Sequence, residues 1–340
     1  MSGPKPSDPA FVAGSNIPEP VLPATIPVPT GTRDMLPEEM AELRQISARV
    51  GKVFAEAGYG EVATPALEFE STMRLGAPNA IDLSYRVPDT NGQLLVLRSD
   101  STIPIARLAA TRYHDAEPPL RFCYLQHVYR PVRPKRAQTR EFLQIGMELM
   151  GLAAPEGDAE AITLLVKVLK AAGLNDFKIA VGDVRFFTDQ LEEAGADGSR
   201  EAILRELSSR DLVGLERQLK LSSEVSETDR ERLVEIAGAR GGRELLEREG
   251  ADHLLQLDDL LRKSGTTDQV IYDLGLVRSL SYYTGTVLEI YAPSSGFPIG
   301  GGGRYDELVG RFGRDLAAFG FALNMERLHV AVLAEQEANQ

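Results

Sequence analysis

Five cations crowd the first half of the stretch YRPVRPKRAQTREFLQIGMEL, Tyr129 to Leu149: Arg130, Arg133, Lys135, Arg136 and Arg140. Guanidinium groups pair well with phosphate oxygens, so this half could handle phosphates; a charge run can equally be an exposed loop. The second half is apolar apart from a few polar residues, among them Gln144 and Glu148. Side chains alternate along an extended chain, so Phe142, Gln144, Gly146 and Glu148 share one face. A polar pair among apolar neighbours is costly to bury unless a ligand or partner satisfies it, and costs little on a solvated face.

Four other segments carry polar groups at suggestive places. In LRSDST, Arg98, Asp100 and Thr102 alternate at the end of an apolar strand. A carboxylate and a hydroxyl there can receive an ammonium group, or cap the helix that follows. In RSLSYYTGTVLE, Arg278 precedes Tyr282 and Tyr283, which a strand would point to opposite faces, either one into the core and one toward a pocket or both into cross-strand aromatic packing. The run GGGGRYD, from Gly300, lets the backbone approach something closely. It lacks the spacing and the βαβ context of a dinucleotide fingerprint. In GFALNMERL, Arg327 sits in the first turn of a helix that follows an apolar strand, which points it inward.

These segments need a scaffold. Apolar residues at Leu43, Ile46, Val50, Val53 and Phe54 make a helical stripe that starts at Asp34 or Pro37 and stops at Gly58. GEVATPALE reads as one short strand interrupted by Pro65, hence an edge or interface strand. Leu94–Leu97 reads as a strand, with a polar turn and a helix after it. LRFCYLQHVYR and EFLQIGMELMG read as a long hairpin around the basic loop, and DAEAITLLVKVLKAAGL as an amphipathic helix closing at Gly173. From about Val184 to Asp268, Glu, Arg and Leu dominate and strand-like runs vanish. Strand character then returns, and the chain closes on a strand and a helix. The expected fold class is α+β: an antiparallel sheet flanked by helices, with a helical insertion. The expected divisions are a disordered Pro-rich arm over 1–28, a core over 29–183 and 269–333, the insertion over 184–268, and a tail over 334–340.

Composition narrows the function. The 340 residues carry a net charge of −13, a field that repels a phosphate backbone even where a local basic patch exists. One cysteine, Cys123, allows no intramolecular disulfide and makes a thiolate metal cluster a poor expectation. His114, His127, His253 and His329 show no metal-ligand spacing, so no metal is expected. No apolar run approaches a membrane span, and the N-terminus reads as neither signal nor transit peptide; a cytoplasmic location is expected.

Taken in order, the segments resemble the catalytic core of the class II aminoacyl-tRNA synthetases, the histidyl enzymes in particular. GTRDMLPEEM and TPALE look like motif 1, YRPVRPKRAQTREFLQIGMEL like motif 2, and GFALNMERL like motif 3. LVRSLSYYTG and GGGRYDELV look like the two histidyl signatures, and the likeness runs from Thr32 to Val332. It implies a histidine pocket. Asp100 stands where the family has a Glu for the α-amino group, and Thr102, Gln144 and Glu148 match residues around the amino acid. Tyr283, with Tyr282 beside it, matches the tyrosine that reads the imidazole, and Gly302 and Gly303 fit the pocket wall.

The nucleotide side departs from the pattern. Arg130 matches the arginine that holds the α-phosphate, and Arg278 and Arg327 are present. The family's adenine-reading Glu is Val132, a phosphate-binding Arg is Gln138, and the usual Asp of the tyrosine signature is Ser281. Valine cannot accept the adenine amino hydrogen bond. Losing two such contacts removes on the order of several kcal/mol of transition-state stabilisation. The chain also stops a short helix after motif 3, where a histidyl-tRNA synthetase continues into an anticodon-binding module, so tRNA is a poor expected partner. This combination resembles the regulatory subunits of ATP phosphoribosyltransferase. That resemblance implies a subunit with no catalysis and no cofactor of its own, which assembles with the short-form catalytic subunit of the first step of histidine biosynthesis. It further implies synthetase-like dimers within a hetero-octamer and feedback inhibition by L-histidine. An ATP-dependent histidine-activating ligase or truncated histidyl-tRNA synthetase paralogue is the alternative, favoured by Arg130, Arg278 and Arg327; a scaffold without a ligand is a third.

Overall fold

The computed structural model describes residues 27–131, 139–247, 250–278 and 280–339. The chain begins with α1 (Pro37–Glu56), which opens on a proline and two first-turn glutamates and buries Leu43, Ile46, Val50 and Phe54 at helical spacing. Next come β1 (Gly60–Glu61), β2 (Leu67–Phe69), α2 (Glu70–Gly76), β3 (Tyr85–Pro88), β4 (Leu94–Leu97) and α3 (Thr102–Arg112). The long hairpin is β5 (Leu120–Tyr129) and β6 (Glu141–Met150), followed by α4 (Glu156–Ala172) and β7 (Lys178–Asp183). Helix α4 closes on Gly173 in the left-handed region, as its sequence predicts. Then α5 (Val184–Glu193), α6 (Arg200–Ser208), α7 (Leu212–Leu221), α8 (Glu227–Gly238), β8 (Arg240–Gly241) and α9 (Asp252–Lys263) form the segment expected to be helical. The chain ends with β9 (Val270–Asp273), β10 (Thr286–Tyr291), β11 (Gly300–Arg304), β12 (Ala318–Asn324) and α10 (Met325–Ala338).

One nine-stranded sheet, in the order β1-β5-β6-β12-β11-β10-β7-β9-β8, organises the α+β fold. All its pairings are antiparallel except β1 with β5 and β7 with β9. Strand alternation divides its two faces. Ile145, Met147 and Leu149 of β6 and Phe319, Phe321 and Leu323 of β12 enter the large core shared with α1, α4 and α10. The intervening residues of β6, Gln144, Gly146 and Glu148, turn to the opposite face. That face meets a second core formed with α3 and a small sheet in the order β2-β4-β3.

Several expectations are corrected. The segment around Pro65 is not one interrupted strand: β1 joins the large sheet and β2 the small one. Proline has no N–H for a ladder, so the chain leaves one sheet there and enters the other. Tyr282 and Tyr283 lie in the loop before β10, not in a strand, and their ring centroids are 4.7 Å apart. The glycine run, read as a place of close backbone approach, is itself a strand, β11, paired on both sides. The helical segment contributes β8, which pairs with β9 at the sheet edge. Residues 334–338, expected as tail, belong to α10. Most of the expected arm, and Val132, Arg133, Lys135, Arg136 and Gln138 of the basic loop, lie outside the described residues.

The small sheet has an uncovered side. Register and alternation place Leu67, Phe69, Tyr85, Val87, Leu95 and Leu97 on one face. None of them is buried, and Leu67 and Phe69 are 44% and 45% exposed.

Candidate functional site

A cavity of about 300 Å³ opens on the face of the large sheet opposite α1 and α4. Its floor is β6, β12 and β11, which contribute Phe142 and Gln144, Gly320 to Ala322 with Asn324, and the glycines of β11. Asp100, Thr102, Gln144, Tyr282, Tyr283 and Gly302 line it. Arg130, Arg278 and Arg327 line it as well, with Glu289 and Asn324.

Asp100 is 5% exposed, and both of its oxygens are used. Oδ1 accepts from the Ile103 N–H at 3.0 Å, so it caps the first turn of α3; Oδ2 accepts from the Tyr282 hydroxyl at 3.1 Å. Capping and pocket lining, which the sequence left as alternatives, are combined in one side chain. Burial pushes its pKa up despite these hydrogen bonds and the nearby Arg130. Arg98 does not share the face expected for it: its guanidinium turns away to Thr64 O, Gln126 Oε1 and, at 2.7 Å, His127 O.

Gln144 is 7% exposed, and its Oε1 has no hydrogen-bond partner among the described residues. A buried acceptor left unmet is unfavourable and marks where a donor belongs. Glu148 does not reach the cavity. Its Oε1 accepts from Thr102 Oγ1 at 2.8 Å and its Oε2 from the Tyr305 hydroxyl, and both donors line the pocket. Glu148 therefore acts on the cavity through Thr102 and Tyr305. Burial pushes its pKa up to about 8, outweighing the two hydroxyl donors.

The glycines fit these side chains closely. A Cβ on Gly320 would stand 1.8 Å from Glu148 Oε2, one on Gly302 2.1 Å from Gly320 O, and one on Gly301 2.0 Å from Arg278 Nη1. Gly303 has φ +154°, and a Cβ there would meet the Tyr283 ring at 2.9 Å.

At the cationic end, Arg130 Nε donates to Ser99 O at 2.9 Å and its guanidinium lies 5.3 Å from the Phe142 ring centroid. Burial lowers its pKa, opposed by Asp100. Arg278 stacks 5.7 Å from the Tyr283 centroid and donates to Leu288 O at 3.2 Å; its Nε is buried without a partner among the described residues. Arg327 Nη1 donates to Pro298 O at 2.7 Å, and Asn324 Oδ1 caps its N–H. Ser281 is exposed and donates to Asn79 Oδ1 at 3.0 Å.

Sequence reasoning did not single out Tyr305 or Glu289. A lone acid in the apolar strand TVLEIY and an aromatic hydroxyl just past a glycine strand were the available signals. Chemically, the lining offers a carboxylate, hydroxyls and an unmet acceptor, which suit a cationic donor group. It also offers three guanidinium groups, which suit an anionic one. The whole arrangement matches a small zwitterion.

The histidyl-tRNA synthetase family model matches residues 31–328. The ATP phosphoribosyltransferase regulatory subunit of Symbiobacterium thermophilum is 42% identical over 89% of this chain and 79% of its own length. That of Bacillus licheniformis is 38% identical over 91% and 82%. Among solved structures, an ATP phosphoribosyltransferase regulatory subunit/histidyl-tRNA synthetase from Bacillus halodurans superposes with a TM-score of 0.83 at 34% identity, covering 91% of this chain and 84% of that one. Apo histidyl-tRNA synthetase of S. aureus, at 22% identity, shares the fold with a TM-score of 0.62 over 92% and 71%. With a class II synthetase-type sheet and relatives of this identity over most of its length, the chain belongs to the histidyl-tRNA synthetase-like family of ATP phosphoribosyltransferase regulatory subunits.

Proposed function

We propose that this chain is a non-catalytic subunit that binds L-histidine in the described cavity and carries feedback inhibition to the short-form catalytic subunit of ATP phosphoribosyltransferase. The observation that carries the reading is Gln144: a buried carbonyl oxygen without a donor, on the floor of a cavity of amino acid size. In the proposed pose the ammonium group lies toward Asp100, the carboxylate toward the arginine end, and the imidazole between Gln144 and the tyrosines. Histidine then favours one state of the complex, and by linkage that state turns over less well. Titration calorimetry tests the first half. Binding of L-histidine by the wild type and its loss in Gln144→Ala are expected; no heat and no thermal shift at millimolar histidine would leave a scaffold without a ligand. Activity of the assembled complex with and without histidine tests the second half.

Self-association as a dimer is part of the proposal, and the uncovered apolar face of the small sheet supports it. Contiguous apolar surface of this kind marks contact sites.

A second reading, a histidine-activating ligase, draws on Arg130, Arg278 and Arg327 around the cationic end. Pyrophosphate exchange with histidine and ATP decides between them. Robust exchange by the purified chain would overturn the non-catalytic reading.

A further inference from the structure

One carboxylate joins the pocket to the helical segment between β7 and β9. Glu289 Oε1 lies 3.4 Å from Nη1 of the pocket residue Arg278, and Glu289 Oε2 lies 3.4 Å from Nη2 of Arg210. Tyr291 also donates to Oε2, at 2.5 Å. Arg210 stands in the turn between α6 and α7, outside the cavity. Its φ is +60°, in the left-handed region that side chains other than glycine seldom occupy. A second contact holds it there: Nη1 donates to Asp273 Oδ2 at 2.9 Å, an oxygen that also accepts from Arg240 Nε at 2.9 Å.

We propose that Arg210 is a positioning residue for the pocket, acting on Arg278 through Glu289, so that the seating of the helical segment and ligand binding are coupled. Two arginines share one carboxylate, Glu289. Arg278 lies against Gly301, with Leu288 O and Glu289 as its acceptors. An anionic ligand group at the cationic end competes with Glu289 for this guanidinium. Arg210 and Tyr291 neutralise Glu289 from the other side and weaken its hold on Arg278. If the helical segment lifts, Glu289 keeps the pocket arginine as its cationic partner among the described residues and holds it more firmly. Ligand affinity then falls. By reciprocity, a ligand that draws Arg278 away leaves Glu289 to Arg210 and seats the segment more firmly. The chain of contacts has charged groups with side chains 18% to 29% exposed, so solvent screens them only in part.

The test rests on the reading that the cavity takes L-histidine with its carboxylate toward the arginines. Calorimetry with L-histidine compares the wild type with Arg210→Ala, Glu289→Gln and the double variant. Arg210→Ala is expected to weaken binding about threefold to tenfold, a typical size for coupling between neighbours. Glu289→Gln is expected to act with the opposite sign, and in its background Arg210→Ala should have no further effect. Arg240→Ala removes the neighbouring cation from Asp273 and leaves Arg210 on both Asp273 and Glu289, so affinity should stay near wild type. A merely structural role would weaken binding in all the variants and add in the double; that result overturns the relay. If the wild type binds no histidine, the functional reading fails separately. The relay is then judged by hydrogen exchange without ligand: Arg278→Ala should slow exchange across residues 200–221, and unchanged exchange there overturns it.

Discussion

The Tyr282 hydroxyl donates to Asp100 Oδ2 across 3.1 Å and so joins two segments 182 residues apart at the acidic end of the cavity. The same carboxylate caps α3 through Ile103. Asp100 is thereby fixed by a helix on one side and a loop on the other, and its orientation toward the cavity does not depend on a ligand being present. Such preorganisation lowers the cost of binding.

Tyr282→Phe removes this tie and little else, because the ring still packs 4.7 Å from Tyr283 and 5.7 Å from Tyr305. Loss of one buried hydrogen bond to a carboxylate costs about 1–3 kcal/mol. We expect a lower melting temperature and about a tenfold loss of L-histidine affinity, read by calorimetry on the folded variant. Undiminished affinity would show that Asp100 needs no positioning from the loop.

Glu148 supplies a pH dependence. Burial lifts its pKa to about 8, well above the ordinary carboxylate value, so the folded state holds this proton longer than the unfolded chain. Stability from this group is therefore present at low pH, declines as pH rises above the ordinary range, and levels off above about 8. The full span is on the order of a few kcal/mol. Glu148→Gln keeps the shape and has no charge to bury. Its melting temperature should fall less than that of the wild type between pH 5 and 8. Parallel curves would show that Glu148 is ionised throughout.

The motifs were legible because spacing and order survive without contacts. Asp100, Thr102, Gln144 and Tyr282 could be singled out from residue type and alternation, Gly302 only through the family resemblance, and β4, β5, β6, β12 and α10 could be located from the order of apolar and polar segments. What was not legible depended on long-range packing. Glu148 and Gln144 lie on the same strand face with the same parity, yet one faces the cavity and the other is sealed beneath Thr102 and Tyr305. No local pattern distinguishes them, because the cover comes from α3 and from the residue after β11. The glycine strand was not legible for a related reason. Gly300–Arg304 lacks strand propensity, and its extended form is imposed by pairing with β10 and β12.

The apolar face of β2, β3 and β4 yields a prediction about assembly. Phe69 is 45% exposed and Leu67 44%, beside the partly exposed Tyr85, Val87, Leu95 and Leu97. A charge placed at Phe69 would have to be desolvated in any contact that covers this face, whereas in an isolated chain it meets only water. Phe69→Glu should therefore convert a dimer into a monomer in light scattering, with helix and strand content unchanged in circular dichroism. A dimer that persists at micromolar concentration would assign self-association to another surface.

Gly320 tests how firmly Glu148 is held. The two residues are opposite each other in the β12–β6 register, and a Cβ on Gly320 would stand 1.8 Å from Oε2. The carboxylate has no easy retreat: Thr102 holds Oε1, Tyr305 holds Oε2, and the side chain is 1% exposed. Gly320→Ala must then displace Glu148 from its donors or bend β12, and overpacking of this kind costs about 1–3 kcal/mol. Denaturant unfolding should show that loss, together with weaker L-histidine binding, because Thr102 and Tyr305 line the cavity. Glu148→Ala in the same chain removes the colliding atoms and should recover part of the stability lost to Gly320→Ala. Costs that simply add in the double variant would show that the strain lies in the backbone, where Met147 O is 2.8 Å from the same Cβ, and not in the carboxylate.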